Sequence, residues 1–175
     1  MATYNIDSTH SEVQFKVKHL VISTVSGHFQ KFEGSLISEK DDFSDAKISF
    51  NADVNSIDTN NEQRDGHLKS DDFFNAEKFP KVIFVGKELK KTGNNTFDLI
   101  GDFTIRDVTK TITLDTEYTG LAIDPWGNTK IGFEITGKIN RLEYGLKWNA
   151  LTEAGGAVVS SDIKLELNIQ LVKTA

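Results

Sequence analysis

The chain contains no cysteine, two prolines, one methionine and two tryptophans among 175 residues. Without cysteine there is no disulfide, no thiolate zinc site and no thiol nucleophile, and the redox compartment stays open. Positive charge is also scarce: the net charge is −6 and no basic run interrupts the chain. That balance argues against a nucleic-acid partner and against electrostatic attachment to an anionic bilayer. No apolar stretch approaches the roughly 18 residues that a membrane helix needs, so the chain reads as not membrane-spanning. The opening MATYNIDSTHS lacks a charged start followed by an apolar segment, so no signal peptide is read. The expected location is cytoplasmic as written, and periplasmic if a leader has been removed.

Phenylalanine is abundant: twelve, against three tyrosines. A phenyl ring needs no polar partner when buried. Period-two alternation dominates the rest of the pattern. Ile163, Leu165, Leu167, Ile169 and Leu171 alternate with Asp162, Lys164, Glu166, Asn168 and Gln170, an amphipathic strand with one wet face. Val13, Phe15, Val17 and His19 form a similar face. Further strands are expected over 25–29, 32–38, 46–54, 81–86, 96–105, 111–118 and 129–139. Turn chemistry separates them, as in Gly93-Asn94-Asn95 and Asp124-Pro125-Trp126-Gly127-Asn128. Short alternating strands with such punctuation suggest an antiparallel sandwich or barrel. No repeat, linker or low-complexity tract divides the chain, so residues 1–175 read as one domain.

Glycine shares the inner faces of several strands with large apolar residues. Phe97, Leu99, Gly101, Phe103 and Ile105 lie on one face, and Ile131, Phe133, Ile135, Gly137 and Ile139 on another. Close-packed interiors have little use for a missing side chain. These glycines mark either sharply bent strands or room for a ligand.

One segment departs from the strand pattern. Thr59 and Glu62 have capping-box spacing, which predicts a helix from about Asn60 toward Leu68. Ser70 then opens a second short turn, and Phe79-Pro80 ends the excursion. Arg64, His67 and Leu68 share one helix face, and Asp65 and Lys69 are spaced for an ion pair. That face is either surface decoration or the mouth of a pocket. His19 is read as an inward histidine, either hydrogen-bonded in the core or facing a ligand.

Catalytic signatures are weak. His10, His19, His28 and His67 match no metal-binding spacing, so no metal is expected. There is no G-x-S-x-G elbow and no phosphate loop. The pairs Asp41-Asp42 and Asp71-Asp72 read as turn or helix-start charges rather than glycosidase carboxylates. The chain is not expected to be an enzyme.

Several stretches in fixed order resemble the YceI-like family of polyisoprenoid- and lipid-binding proteins. They are NIDSTHS, VQFKVKHL, GHFQKFEG, NSIDTNNEQRDGHLKSDDFF, KFPKVIF, GDFTIRDVTK and GFEITGKINRLEYG, running nearly end to end. SIDT, the RDxHL segment, the aspartate–Phe pair and Phe-Pro are specific in that combination. Tyr4 stands where Trp is frequent, and Glu143-Tyr144 where Asp-Phe is frequent. Many members carry a secretion signal, and none is read here.

The resemblance implies an all-β fold: an extended antiparallel lipocalin-like barrel of about eight strands with a short helical excursion near residues 60–75. It implies a long apolar tunnel, with mid-strand Gly101 and Gly137 as the expected tunnel positions, a hydrophobic or lipid ligand such as an isoprenoid quinone or polyprenyl chain, and a homodimer. No catalytic residues and no cofactor beyond such a lipid come with it. The candidate ligand-binding residues are Phe15, Val17, His19, Phe29, Arg64, His67, Phe73, Phe74, Phe84, Gly101, Phe103, Phe133, Ile135, Gly137 and Trp148. Arg64 and His67 are the candidate head-group donors. The alternatives are binding of a fatty acid or fatty amide, or a ligand-free structural or stress-related interaction module.

Overall fold

The computed structural model describes residues 1–20, 22–148 and 159–174. Eleven strands form one antiparallel sheet. They are β1 (Ala2–Ile6), β2 (Glu12–His19), β3 (Ser23–Phe29), β4 (Phe32–Ser38), β5 (Lys47–Asp53), β6 (Ile57–Asp58), β7 (Lys81–Lys91), β8 (Thr96–Ile105), β9 (Val108–Ile123), β10 (Thr129–Asn140) and β11 (Val159–Lys173). Eight of them close into a barrel in the order β1-β4-β5-β7-β8-β9-β10-β11, with β11 returning to β1. Closure leaves no free edge among these eight strands.

The long β11 has two neighbours on the same side. Its C-terminal end pairs with β1, Ile6 opposite Leu171, and its earlier part pairs with β2, Leu165 opposite Phe15. From β2 the sheet continues through β3 to the two-residue β6. The molecule is therefore a closed barrel at one end and a splayed wall at the other. The helix α1 (Glu62–Lys69) follows β6 at the splayed end.

Alternation of apolar and polar residues explains which face turns inward. On β11, Ile169 and Leu171 are buried while Lys164 and Asn168 are exposed. The expected strands are all present, several of them longer than expected. The sequence reading did not include β1, a five-residue strand with the buried Tyr4 at its centre. Its short polar-rich pattern, Thr3-Tyr4-Asn5, carries little periodic signal.

The helix starts later than its capping-box spacing predicts. Asn61 is the N-cap, its side chain accepting from the Arg64 backbone N–H at 2.9 Å. Thr59 is used differently: its backbone N–H donates to the Asp65 carboxylate, and its hydroxyl meets both Asp65 and the Arg64 Nε. Asp65 therefore faces Thr59, and no Asp65–Lys69 ion pair forms among the described residues.

Candidate functional site: two apolar chambers in line

Among the described residues, two cavities lie in the interior. The larger, about 460 Å³, lies at the splayed end beneath α1. The smaller, about 130 Å³, lies inside the closed barrel. Phe15, Phe29, Val82, Phe103 and Leu165 line both, so the chambers meet at a waist.

The inner chamber is lined almost wholly by apolar side chains, among them Phe84, Leu99, Phe133, Ile135 and Leu167. Phe43 stands behind its far end, packed on the lining Phe133 rather than lining the chamber itself. It comes from the loop between β4 and β5 in a left-handed conformation (φ 60°) and is buried. Its ring meets Phe133 at 5.8 Å, Tyr118 at 5.5 Å and Tyr4 at 6.4 Å, mostly edge-on. Such aromatic clusters are favourable beyond their area burial, and this one forms a stopper. Nothing in the local pattern around Phe43 marks it, because a lone apolar residue in a loop has no periodicity.

The outer chamber is apolar toward the waist and polar toward α1. Val17 and His19 of β2, Val25 of β3 and Ile163 of β11 line its walls. Asn61, Gln63, Arg64, His67 and Leu68 reach it from α1 and its N-cap. Arg64, His67 and Leu68 thus use their shared face against the cavity rather than against solvent. Arg64 is held by Thr59, through Nε to the hydroxyl at 2.7 Å and through Nη2 to the carbonyl. The His67 imidazole pairs with Asp72 at 2.8 Å and stacks edge-on with Trp148 (4.6 Å) and Phe73 (5.1 Å). Asp71, the other member of that acidic pair, meets Arg106 at 3.2 Å. His19 is half-buried on the wall and its ring has no hydrogen-bond partner among the described residues, so it is not a hydrogen-bonded core histidine.

Thirteen of the fifteen candidate residues line one chamber or the other. Val17, His19, Arg64, His67, Phe73, Phe74 and Trp148 line the outer one, Phe84, Phe133 and Ile135 the inner one, and Phe15, Phe29 and Phe103 both. Gly101 and Gly137 line neither, and the expectation that they open the tunnel is corrected. A Cβ on Gly101 would lie 2.5 Å from both Phe84 Cζ and the Val85 carbonyl oxygen. Gly101 also faces Gly86 across the strands, beside a register shift between Gly86 and Glu88. On Gly137 a Cβ would fall on Leu114 Cδ2. Both glycines make room for a neighbouring side chain, and at Gly101 the strands bend as well.

Arg141 escaped the residue-by-residue reading. It is 2% exposed and lies against the outer chamber. Its guanidinium donates to four carbonyls, those of Ser160 (2.8 Å), Trp148 (2.9 Å), Val159 (3.2 Å) and Leu146, and sits over the Phe73 ring. Burial depresses its pKa from the ordinary arginine value. The residue ties the start of β11 to residues 146–148 at the chamber wall. Tyr144, also buried, has its phenol pushed up to about 12 by burial and then by Glu143. Its hydroxyl has no protein partner among the described residues.

A closed antiparallel barrel with an apolar interior and a polar mouth defines the class of lipocalin-like barrel folds. The chain belongs to the YceI-like family, whose domain model matches residues 4–171. It is 37% identical to a UPF0312 protein of Staphylococcus epidermidis and 36% identical to one of Staphylococcus aureus, over 97% of both chains in each case. Among solved structures, the Campylobacter jejuni YceI protein superposes with TM-score 0.74 at 34% identity, covering 90% of each chain. Burkholderia cenocepacia BcnA matches at TM-score 0.82 and 18% identity, covering 94% of this chain and 98% of its own. A polyisoprenoid binding domain from Saccharophagus degradans matches at TM-score 0.76 and 15% identity over 98% of each chain. The last two likenesses show the shared fold.

Proposed function

We propose that the protein binds and carries, or stores, an amphiphilic lipid without chemically changing it, an isoprenoid quinone or polyprenyl chain being the ligand class. The observation that carries this reading is the pair of chambers in line, apolar along their length, with Arg64, His67, Asn61 and Gln63 gathered at one end. The polyisoprenoid-binding description of the Saccharophagus domain supports the same ligand class.

The energetics favour a long apolar tail. Burying a CH₂-sized group is worth about 0.8 kcal/mol, so a five-carbon isoprene unit gains roughly 3–4 kcal/mol. Six such units would pass the affinity ceiling of about −20 kcal/mol, so ordering of the chain must offset much of the gain. The tail supplies affinity; the head group sets orientation. Arg64 and His67 stand where they can donate to a quinone carbonyl, an amide or another polar head.

Organic extraction of the purified protein followed by mass spectrometry tests the proposal. The expected result is a stoichiometric isoprenoid lipid, retaken by delipidated protein from added quinone or polyprenol. A fatty acid or amide in its place would select the alternative ligand class. No extractable lipid, and no uptake by the delipidated chain, would overturn the reading.

A further inference from the structure

We infer that Phe15, seated on Gly27, is a gate between the two chambers and sets the longest tail that the protein accepts. The inference rests on the lipid-carrier reading of the same cavity. Phe15 and Gly27 face each other across β2 and β3, and Leu165 flanks Phe15 on its other side. A Cβ on Gly27 would fall on the Phe15 ring and come within 2.8 Å of Thr59 Cγ2. The ring therefore occupies a recess that only glycine leaves open.

The five residues of the waist are not equally held. Phe29 is buried, meets Phe74 edge-on at 6.3 Å and is tilted against Phe15 at 5.9 Å. Phe103 is braced by Tyr144 at 5.7 Å and Phe84 at 6.5 Å. Phe15 and Phe103 are both half-buried, but Phe15 has Phe29 as its one aromatic neighbour among the described residues. It also stands on β2, in the splayed wall rather than in the closed barrel. Of the three rings at the waist, it is the one with fewest aromatic neighbours and with a recess in which to lie. A tail that ends in the outer chamber leaves the gate untouched. A longer tail must pass the Phe15 ring to reach the inner chamber, where Phe43 ends the path.

The gate makes opposite predictions for two variants. Phe15→Ala removes the ring and joins the chambers. Gly27→Ala fills the recess and pushes the ring into the bore, a shift the far end of a side chain can make. The probes are geraniol, farnesol, geranylgeraniol and solanesol, titrated calorimetrically into delipidated protein. In the wild-type chain, affinity is expected to climb with each added isoprene unit until the tail reaches the gate, and then to level off. Phe15→Ala moves the levelling point to a longer prenol and tightens binding of the first prenol beyond the wild-type plateau about tenfold, a modest part of what one buried isoprene unit can supply. Gly27→Ala moves it to a shorter prenol. Phe15→Leu, which keeps an apolar side chain in the wall, gives the Phe15→Ala direction if the larger truncation unfolds the chain. Coincident levelling points in all variants would overturn the gate while leaving the carrier reading intact. Failure of every prenol to bind would overturn both.

Discussion

At Gly101 a missing side chain serves two neighbours at once. The Phe84 ring, the Val85 carbonyl and the Gly86 backbone all crowd the place a Cβ would take. A methyl group there meets backbone as well as ring, and backbone at a bulge has little room to yield. Gly101→Ala is therefore expected to destabilise the fold by about 1–3 kcal/mol, the usual cost of overpacking. Urea unfolding monitored by fluorescence reads this directly. An unchanged midpoint would return the empty-space reading of the glycine. The alternation pattern showed that Gly101 and Gly137 face inward and could not show what covers them. Side-chain period reports the face of a strand; the occupant comes from another strand. Arg141 was hidden for a related reason. Its partners are four backbone carbonyls in other segments, and carbonyls leave no signature in a sequence.

The loop between β4 and β5 shows how one element is held for the sake of another. Asp45 accepts from the Ser38 hydroxyl at 2.6 Å and the Glu39 backbone N–H at 2.9 Å, and these bonds lower its pKa to about 2. They brace the loop that carries the Phe43 stopper. A carboxylate whose folded pKa lies below its unfolded value contributes stability above the unfolded pKa and loses it as pH falls through the folded one. The contribution of Asp45 is thus expected to be whole above about pH 4 and to vanish toward pH 2. Asp7 acts with the same sign, its pKa lowered first by the Thr9 hydroxyl and then by His10. The test is therefore a difference: chemical denaturation across that range, wild type against Asp45→Asn. A flatter acid limb in the variant is expected, and identical slopes would sink the assignment. At this scale the sequence was largely legible, since strand alternation follows from local chemistry. The boundary of α1 was less so. Thr59 fits a capping box, yet its hydroxyl serves Asp65 and Arg64 while Asn61 caps the helix.

In the whole molecule, the two chambers are the price of a barrel that is not filled to crystal-like density. A ligand that binds only the folded chain adds RT ln(1 + [L]/Kd), about 2.7 kcal/mol at a hundredfold excess over Kd. Lipid-loaded protein should therefore melt higher than delipidated protein, by an amount that grows with free ligand. Calorimetric scans at several concentrations of added quinone check this, and coincident melting points would count against occupancy of the chambers. The sequence by itself determined an all-β fold, the inward faces of most strands and the helical segment bearing Arg64 and His67. Those features arise from period, turn chemistry and the kind of side chain, all local properties. Only the tertiary structure decided that β11 is shared between β1 and β2 and that Phe43 stops one end. It also decided that the glycines receive neighbours' side chains and that the two chambers meet at a waist of five side chains. Each of these depends on which distant strand closes against which, and that pairing is settled by closure of the barrel as a whole.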